Sequence, residues 1–220
     1  MNDQSYNANV TNEGGANGTY RLLKNVMGLW IAQQCRATWR AQGEEYSYDD
    51  LTRLASDAEP FRSLIEPDDP AFLPPGDMPT RIRDFCRRTG QPIPETVGQV
   101  TRAIYESLAL KYRLSIDTMI ALSGAGSSAC NVIGGGTQNR LLCQMTADAL
   151  GRTVIAGPVE ATALGNGIVQ LIALGEIGSV AQAREILSRS VADETYHKPV
   201  GGVGAKHTTV SARWVAAESV

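Results

Sequence analysis

The run Asn131-Val-Ile-Gly-Gly-Gly-Thr-Gln-Asn139 joins a short apolar stretch to three consecutive glycines and then to side chains that can cap a helix. Where a strand feeds a helix through glycines, backbone N–H groups at the helix start are free to hold an anion or a polar ring. The missing Cβ atoms let such a ligand lie against the main chain. Gly134, Gly135 and Gly136 meet that requirement, and Thr137 or Asn139 is placed to cap the helix or to touch the ligand. The spacing is not a Gly-x-x-x-x-Gly-Lys phosphate loop, because no lysine follows. Nor is it Gly-x-Gly-x-x-Gly, because Asn139 takes the sixth place. A tight strand–helix turn without a ligand is the plain alternative. Other chemistries find less support. Cys35, Cys86, Cys130 and Cys143 form no Cys-x-x-Cys pair, and the two histidines, His197 and His207, sit together near the C-terminus. Neither a zinc site nor a disulfide framework is expected from that pattern. Ser-His-Asp or Cys-His catalysis would have to take its base from the tail.

These residues need elements to position them, and the hydrophobic spacing supplies candidates. Residues 128–133 read as a short buried strand, Leu141–Leu150 as a helix capped by Gly151, and Thr153–Ala156 as a second strand. Another helix opens at Pro158 or just after it and runs to about Leu174, and one more spans Val180–Arg189. Strand, helix, strand, helix in that order predicts an α/β layer with adjacent parallel strands. In the helix after Gly157, Ala161, Ala163, Gly165 and Gly167 keep one stretch thin. That leaves a slot for a flat ring, or permits ordinary close helix packing.

Upstream, residues 1–19 read as polar and turn-rich. Leu22, Leu23, Val26, Leu29 and Trp30 predict an amphipathic helix over 20–41, in which Gly28 suggests close packing. Helices are expected over 47–57, 79–89 and 95–122, with a proline-rich excursion over 60–80. Asn25 and Gln33 would then project about 80° apart on one helix at roughly 100° per residue. Two solvated polar residues on a helix surface are the simpler reading of that pair.

Composition bounds the partners. A net charge of −3 argues against a non-specific nucleic-acid binder. No apolar run reaches the roughly 20 residues of a membrane helix, and no basic-then-apolar leader opens the sequence, so a cytoplasmic location is expected. With 43% apolar residues the chain can bury a core.

Several motifs in one order carry a family resemblance. Gly134 to Ala149, followed by Val154-Ile-Ala-Gly-Pro-Val-Glu-Ala-Thr-Ala-Leu-Gly-Asn166, is similar to the nucleotide-binding half of FGGY-type carbohydrate kinases. Thr11-Asn-Glu-Gly-Gly15, Leu22-Leu-Lys-Asn-Val-Met-Gly-Leu-Trp30 and Phe72-Leu-Pro-Pro-Gly-Asp-Met78 resemble the rhamnulokinase branch. The resemblance runs from about Asn2 to about Glu194. It implies an actin-like (ribonuclease H-like) ATPase fold and transfer of the γ-phosphoryl of ATP to the 1-hydroxyl of L-rhamnulose with Mg2+. It assigns Gly135 and Gln33 to ATP and Asn25 to the sugar. Together with Gly134, Gly136 and Asn139 from the turn, these are the expected site residues, with no metal ligand among them.

The resemblance covers only the C-terminal FGGY-kinase domain, residues 1–194, and lacks that domain's first strands. The family's catalytic aspartate, its first phosphate loop and its Ser-Gly-Thr turn have no counterpart here, and Asp3, Glu13, Asp77 and Asp148 match no catalytic-base motif. No catalytic residue is expected in this chain, which reads as a fragment inactive on its own, with an exposed sheet edge prone to self-association. Residues 195–220 are expected to be a mobile Gly-rich tail. Cys86 resembles a position that can be disulfide-linked in a relative, but Ala103 stands at the partner position. A related kinase for another ketose or polyol, and a non-catalytic binding or oligomerisation module, are the alternatives.

Overall fold

The computed structural model describes residues 3–15, 18–190 and 195–200. A short helix α1 (Asp3–Asn7) leads into a hairpin of β1 (Thr11–Gly14) and β2 (Tyr20–Leu23), paired antiparallel with Thr11 opposite Leu23. Then come α2 (Trp30–Ala41), α3 (Tyr48–Asp57), α4 (Met78–Arg88) and the long α5 (Val97–Ser123). The second half runs β3 (Ala129–Val132), α6 (Arg140–Leu150), β4 (Thr153–Ala156), α7 (Ala161–Ala173), α8 (Val180–Ser190) and β5 (Thr195–His197).

Local chemistry explains the helix limits. Ser47 and Asp50 form a reciprocal capping box at the start of α3, and Thr96 and Gln99 do the same for α5. Asp77 caps α4, with Pro79 in its first turn. Gly124 and Gly151 end α5 and α6 in the left-handed conformation, with φ of 68° and 62°. The main core lies among α2–α5: Ile31, Cys35, Leu51, Met78, Ile82, Ile104 and Leu108 are fully buried. A smaller cluster of Cys143, Ala147, Val154 and Ala156 fixes α6 on the sheet.

The sheet has the order β3-β4-β5, with β3 and β4 parallel as the sequence predicts and Cys130 opposite Val154. Two expectations are corrected. The helix over 20–41 is not continuous: residues 20–23 are strand, 24–29 are non-helical, and α2 begins only at Trp30. Leu22 and Leu23 are too short a run to separate the two periods. Pairing with β1 satisfies their backbone, and Gly28 weakens helix just before Trp30. Residues 195–200, expected within a mobile tail, are placed by the fold. Thr195–His197 pairs antiparallel with β4, Tyr196 opposite Ile155, and Lys198 and Val200 are tied to α6 by hydrogen bonds with Gln144 and Asp148. Residues 201–220, the rest of the expected mobile tail, lie outside the described residues.

Candidate functional site

The two glycine turns meet at the carboxyl ends of the parallel strands, where open α/β sheets place their ligands. Gly157 N–H donates to Val132 O (2.8 Å), and Gly134 N–H donates to Pro158 O (3.2 Å). The turn after β3 is thereby fastened to the turn after β4. Gly134 has a φ of +84°, which a side chain would resist. Thr137 is buried and locks the turn: both its N–H (3.1 Å) and its hydroxyl (2.8 Å) donate to Gly134 O. Cys143, from the next turn of chain, directs its thiol at Gly136 O and Thr137 O from below. Burial pushes that thiol above its ordinary range, with Cys130 adding to the effect, so it stays a neutral donor.

Gly135 and Gly136 differ from Gly134. Neither has a positive φ, and a Cβ on either would meet nothing within 4 Å. The fold itself therefore does not require glycine at these two positions. Asn139 is now explained: its Oδ1 accepts from Leu142 N–H (3.0 Å), capping α6.

Asn25 reaches the same neighbourhood by a route the sequence did not show. It lies exposed in the 24–29 loop and lines a cavity of about 500 Å³ whose wall includes Gly136. That loop is held at both ends. Lys24 Nζ donates to Ala8 O, and Met27 N–H donates to the carboxylate of Asp68 (2.7 Å), itself paired with Lys111 of α5 (3.0 Å).

The family model described as "FGGY family of carbohydrate kinases, C-terminal domain" matches residues 2–174. The chain belongs to the FGGY family of carbohydrate kinases. Over 189 residues it is 50% identical to the rhamnulokinase of Bacteroides thetaiotaomicron, a match that takes in 86% of this chain and 38% of that protein. The rhamnulokinase of Enterococcus faecalis is 42% identical over 195 residues, 88% of this chain and 39% of its own length. The chain thus spans about two-fifths of the curated relatives it matches. Crystal structures of the xylulose kinases of Rhodospirillum rubrum and Lactobacillus acidophilus superpose with TM-scores of 0.65 over 94% and 96% of this chain and 41% of each of theirs. At 16% identity they establish the fold: part of an FGGY kinase, as the motifs imply.

Within this FGGY domain Gln33 stands apart from the cavity. It is exposed in the first turns of α2, in an open groove with Arg36 and Arg40. The structure thus brings Asn25 to the cavity that Gly136 lines but leaves Gln33 in a separate groove, and the shared helix edge expected for Asn25 and Gln33 does not exist. Three of the four carboxylates set aside in the sequence have structural tasks. Glu13 pairs with Arg21 across the hairpin, Asp77 caps α4, and Asp148 accepts from Gln144 Nε2 and Val200 N–H. No three His, Cys, Asp or Glu side chains gather into a metal-holding set among the described residues. The Mg2+ implied by the resemblance therefore finds no protein cage in them. Two residues escaped the sequence reading. Ser115 lines the cavity with an unpartnered hydroxyl, and Cys143 supports the turn. The only hint of Ser115 was a polar residue on the apolar stripe of a long helix. No helix among the described residues is long and apolar enough to cross a membrane.

Proposed function

We propose that this chain is the nucleotide-binding domain of a carbohydrate kinase of rhamnulokinase type, cytoplasmic, acting with ATP and Mg2+ on L-rhamnulose at its 1-hydroxyl. The observation that carries the reading is the pair Gly135 and Gly136, glycines that the chain's own packing does not need, at the carboxyl ends of two parallel strands. The first N–H groups of a helical turn have no partner inside it and face the ligand with the positive end of the helix dipole. Gly134 to Gly136 would hold the nucleotide there, with Thr137 and Asn139 fixing the turn. Asn25 would contact the sugar from the loop; the resemblance alone gives Gln33, in its own groove on α2, to the nucleotide.

The nucleotide-binding unit would take in β5 beside the expected residues 1–194, since β5 pairs with β4. Glu13, Asp77 and Asp148 are committed to an ion pair, a helix cap and hydrogen bonds, which supports the reading that the chain alone phosphorylates no sugar. Self-association would run through α7, whose apolar surface is uncovered, rather than through the sheet edge. Calorimetry with ADP and with ATP tests the site. Gly135→Val should fold normally, since its side chain meets no neighbour, and should lose nucleotide binding by roughly tenfold or more. Equal heats for the two proteins would remove the reading. A coupled assay of the wild type with L-rhamnulose and ATP, run on the same preparation, should show no turnover.

A further inference from the structure

The proline-rich excursion over residues 60–80 is fastened to the core along its length. Gln91 brackets Leu64, accepting from its N–H (2.9 Å) and donating to its C=O (2.8 Å), and Ile65 N–H donates to Ser107 Oγ of α5 (2.9 Å). Lys111 of α5 reaches Glu66 (2.5 Å) and Asp68 (3.0 Å) with a side chain only 13% exposed. Arg88 of α4 holds Asp69 (2.7 Å), and Phe72 is fully buried beside Phe85. Pro67, Pro70, Pro74 and Pro75 fix φ at four positions of the same stretch. A segment with these anchors and so little backbone freedom holds its shape.

Other bonds of this segment reach the two elements that carry Asn25 and Gln33. On α2, Thr38 Oγ1 donates to Gly76 O (3.1 Å), and Gly76 N–H donates to the side-chain oxygen of Gln34 (3.4 Å), the residue next to Gln33. On the 24–29 loop, Met27 N–H donates to Asp68 Oδ1 (2.7 Å). Among the described residues, that is the one hydrogen bond made by the backbone of residues 25–28, which belong to no helix or strand. A carboxylate acceptor makes such a bond short and roughly twice as strong as a neutral one. Lys111 keeps the carboxylate aimed from the other side. Asp68 itself does not line the cavity that Asn25 enters.

We infer that residues 66–76 form a brace for the binding surface, and that Asp68 positions the sugar through it: by holding Met27 N–H, it fixes the loop from which Asn25 reaches the cavity. The inference rests on the proposed reading of Asn25 as a sugar contact. A ligand that must first order its loop binds more weakly by the fraction of time the loop is already in place. With the Asp68 bond intact, that cost is met in the free protein. With it cut, residues 25–28 lose their one backbone tie to the brace, and Asn25 is presented correctly only part of the time.

The test uses the full chain, isotope-labelled, in NMR titrations with L-rhamnulose, beside calorimetry with ADP. Asp68→Ala should fold, because Lys111 keeps Glu66 as its partner and Asp68 belongs to no core cluster. It should bind L-rhamnulose roughly tenfold more weakly than the wild type, exchange the Met27 amide faster and give unchanged ADP heats. Asp68→Asn keeps an oxygen for Met27 N–H and should bind the sugar within about threefold of the wild type. A need for the ion pair with Lys111 alone would not be met by that variant. Asn25→Ala tests the sugar contact with the loop still held. If Asn25→Ala binds as the wild type does, or the wild type binds no L-rhamnulose, the sugar reading falls and takes the inference with it. If Asn25→Ala loses binding and Asp68→Ala does not, the inference alone is overturned. It is equally overturned if Asp68→Ala weakens sugar and ADP together, or if Asp68→Asn binds no better than Asp68→Ala.

Discussion

Glu106 has a side chain only 2% exposed, and both its oxygens are in use. Oε1 accepts from Arg102 Nε (2.7 Å) and Oε2 from the N–H of Phe61 (2.8 Å), a residue held at a φ of +55°. Arg102 in turn donates to Ala55 O and Ser56 O at the end of α3. One carboxylate thus fastens α5 to α3 and to the loop that follows it. Removing it leaves a buried guanidinium without its counter-charge, so Glu106→Ala should cost about 3–5 kcal/mol in a urea melt. Burial raises the carboxyl above its ordinary value, more than Arg102 and the Phe61 N–H lower it. The folded state therefore binds this proton more readily than the unfolded chain. Its stabilising effect is full below the ordinary carboxylate range and fades as pH rises through the raised value. Glu106→Gln should flatten that decline, and melts repeated at rising pH from the ordinary carboxylate range upward would show it. Nothing in the sequence marked Glu106, since a Glu in a helix pattern is ordinarily solvated; only the crossing of α3 and α5 reveals its role.

Close packing of elements depends on a glycine that the sequence pattern did not single out. A Cβ on Gly98 would lie 2.4 Å from Leu54 O, because the first turn of α5 presses its backbone against α3. Gly98→Ala must push the helices apart and should cost about 1–3 kcal/mol by thermal or urea unfolding, with no effect on nucleotide heats. Gly28, Gly165 and Gly167, which the sequence suggested for close approach, have nothing within 4 Å of the place a methyl group would take. A glycine announces that a side chain is absent; what takes its space is a tertiary fact. Elements with their own signals were legible: the helices over 47–57 and 95–122, the C-cap at Gly151, and the two parallel strands flanking α6. The start of α2 was not legible, because the competitor for Tyr20–Leu23 is a strand nine residues upstream. The glycine turn was legible as a candidate site from its sequence. The neighbourhood of Asn25 and Gly136 was not, since it depends on Asp68 and Ala8 holding a loop in place.

For the molecule as a whole, α7 is the element whose sequence and surroundings disagree. Ala161–Ala173 is apolar around most of its circumference, a pattern that belongs in an interior, yet none of its residues is buried. Val169 is 62% exposed and Leu174, just beyond the helix, 75%. Exposed apolar surface of this kind drives association once it forms a contiguous patch. The wild type should therefore show concentration-dependent self-association in light scattering and bind a hydrophobic dye. Replacing Val169 and Leu174 together by glutamine should lower both signals, because it removes apolar area from water contact at about 25 cal/mol per Å². The same change should leave the far-ultraviolet circular dichroism and the melting temperature nearly unaltered, since neither side chain belongs to a core cluster. Glutamine keeps helix propensity close to that of leucine, so a loss of helix would not explain a drop in scattering. Scattering that persisted unchanged in the double variant would place the contact away from α7 and overturn this reading.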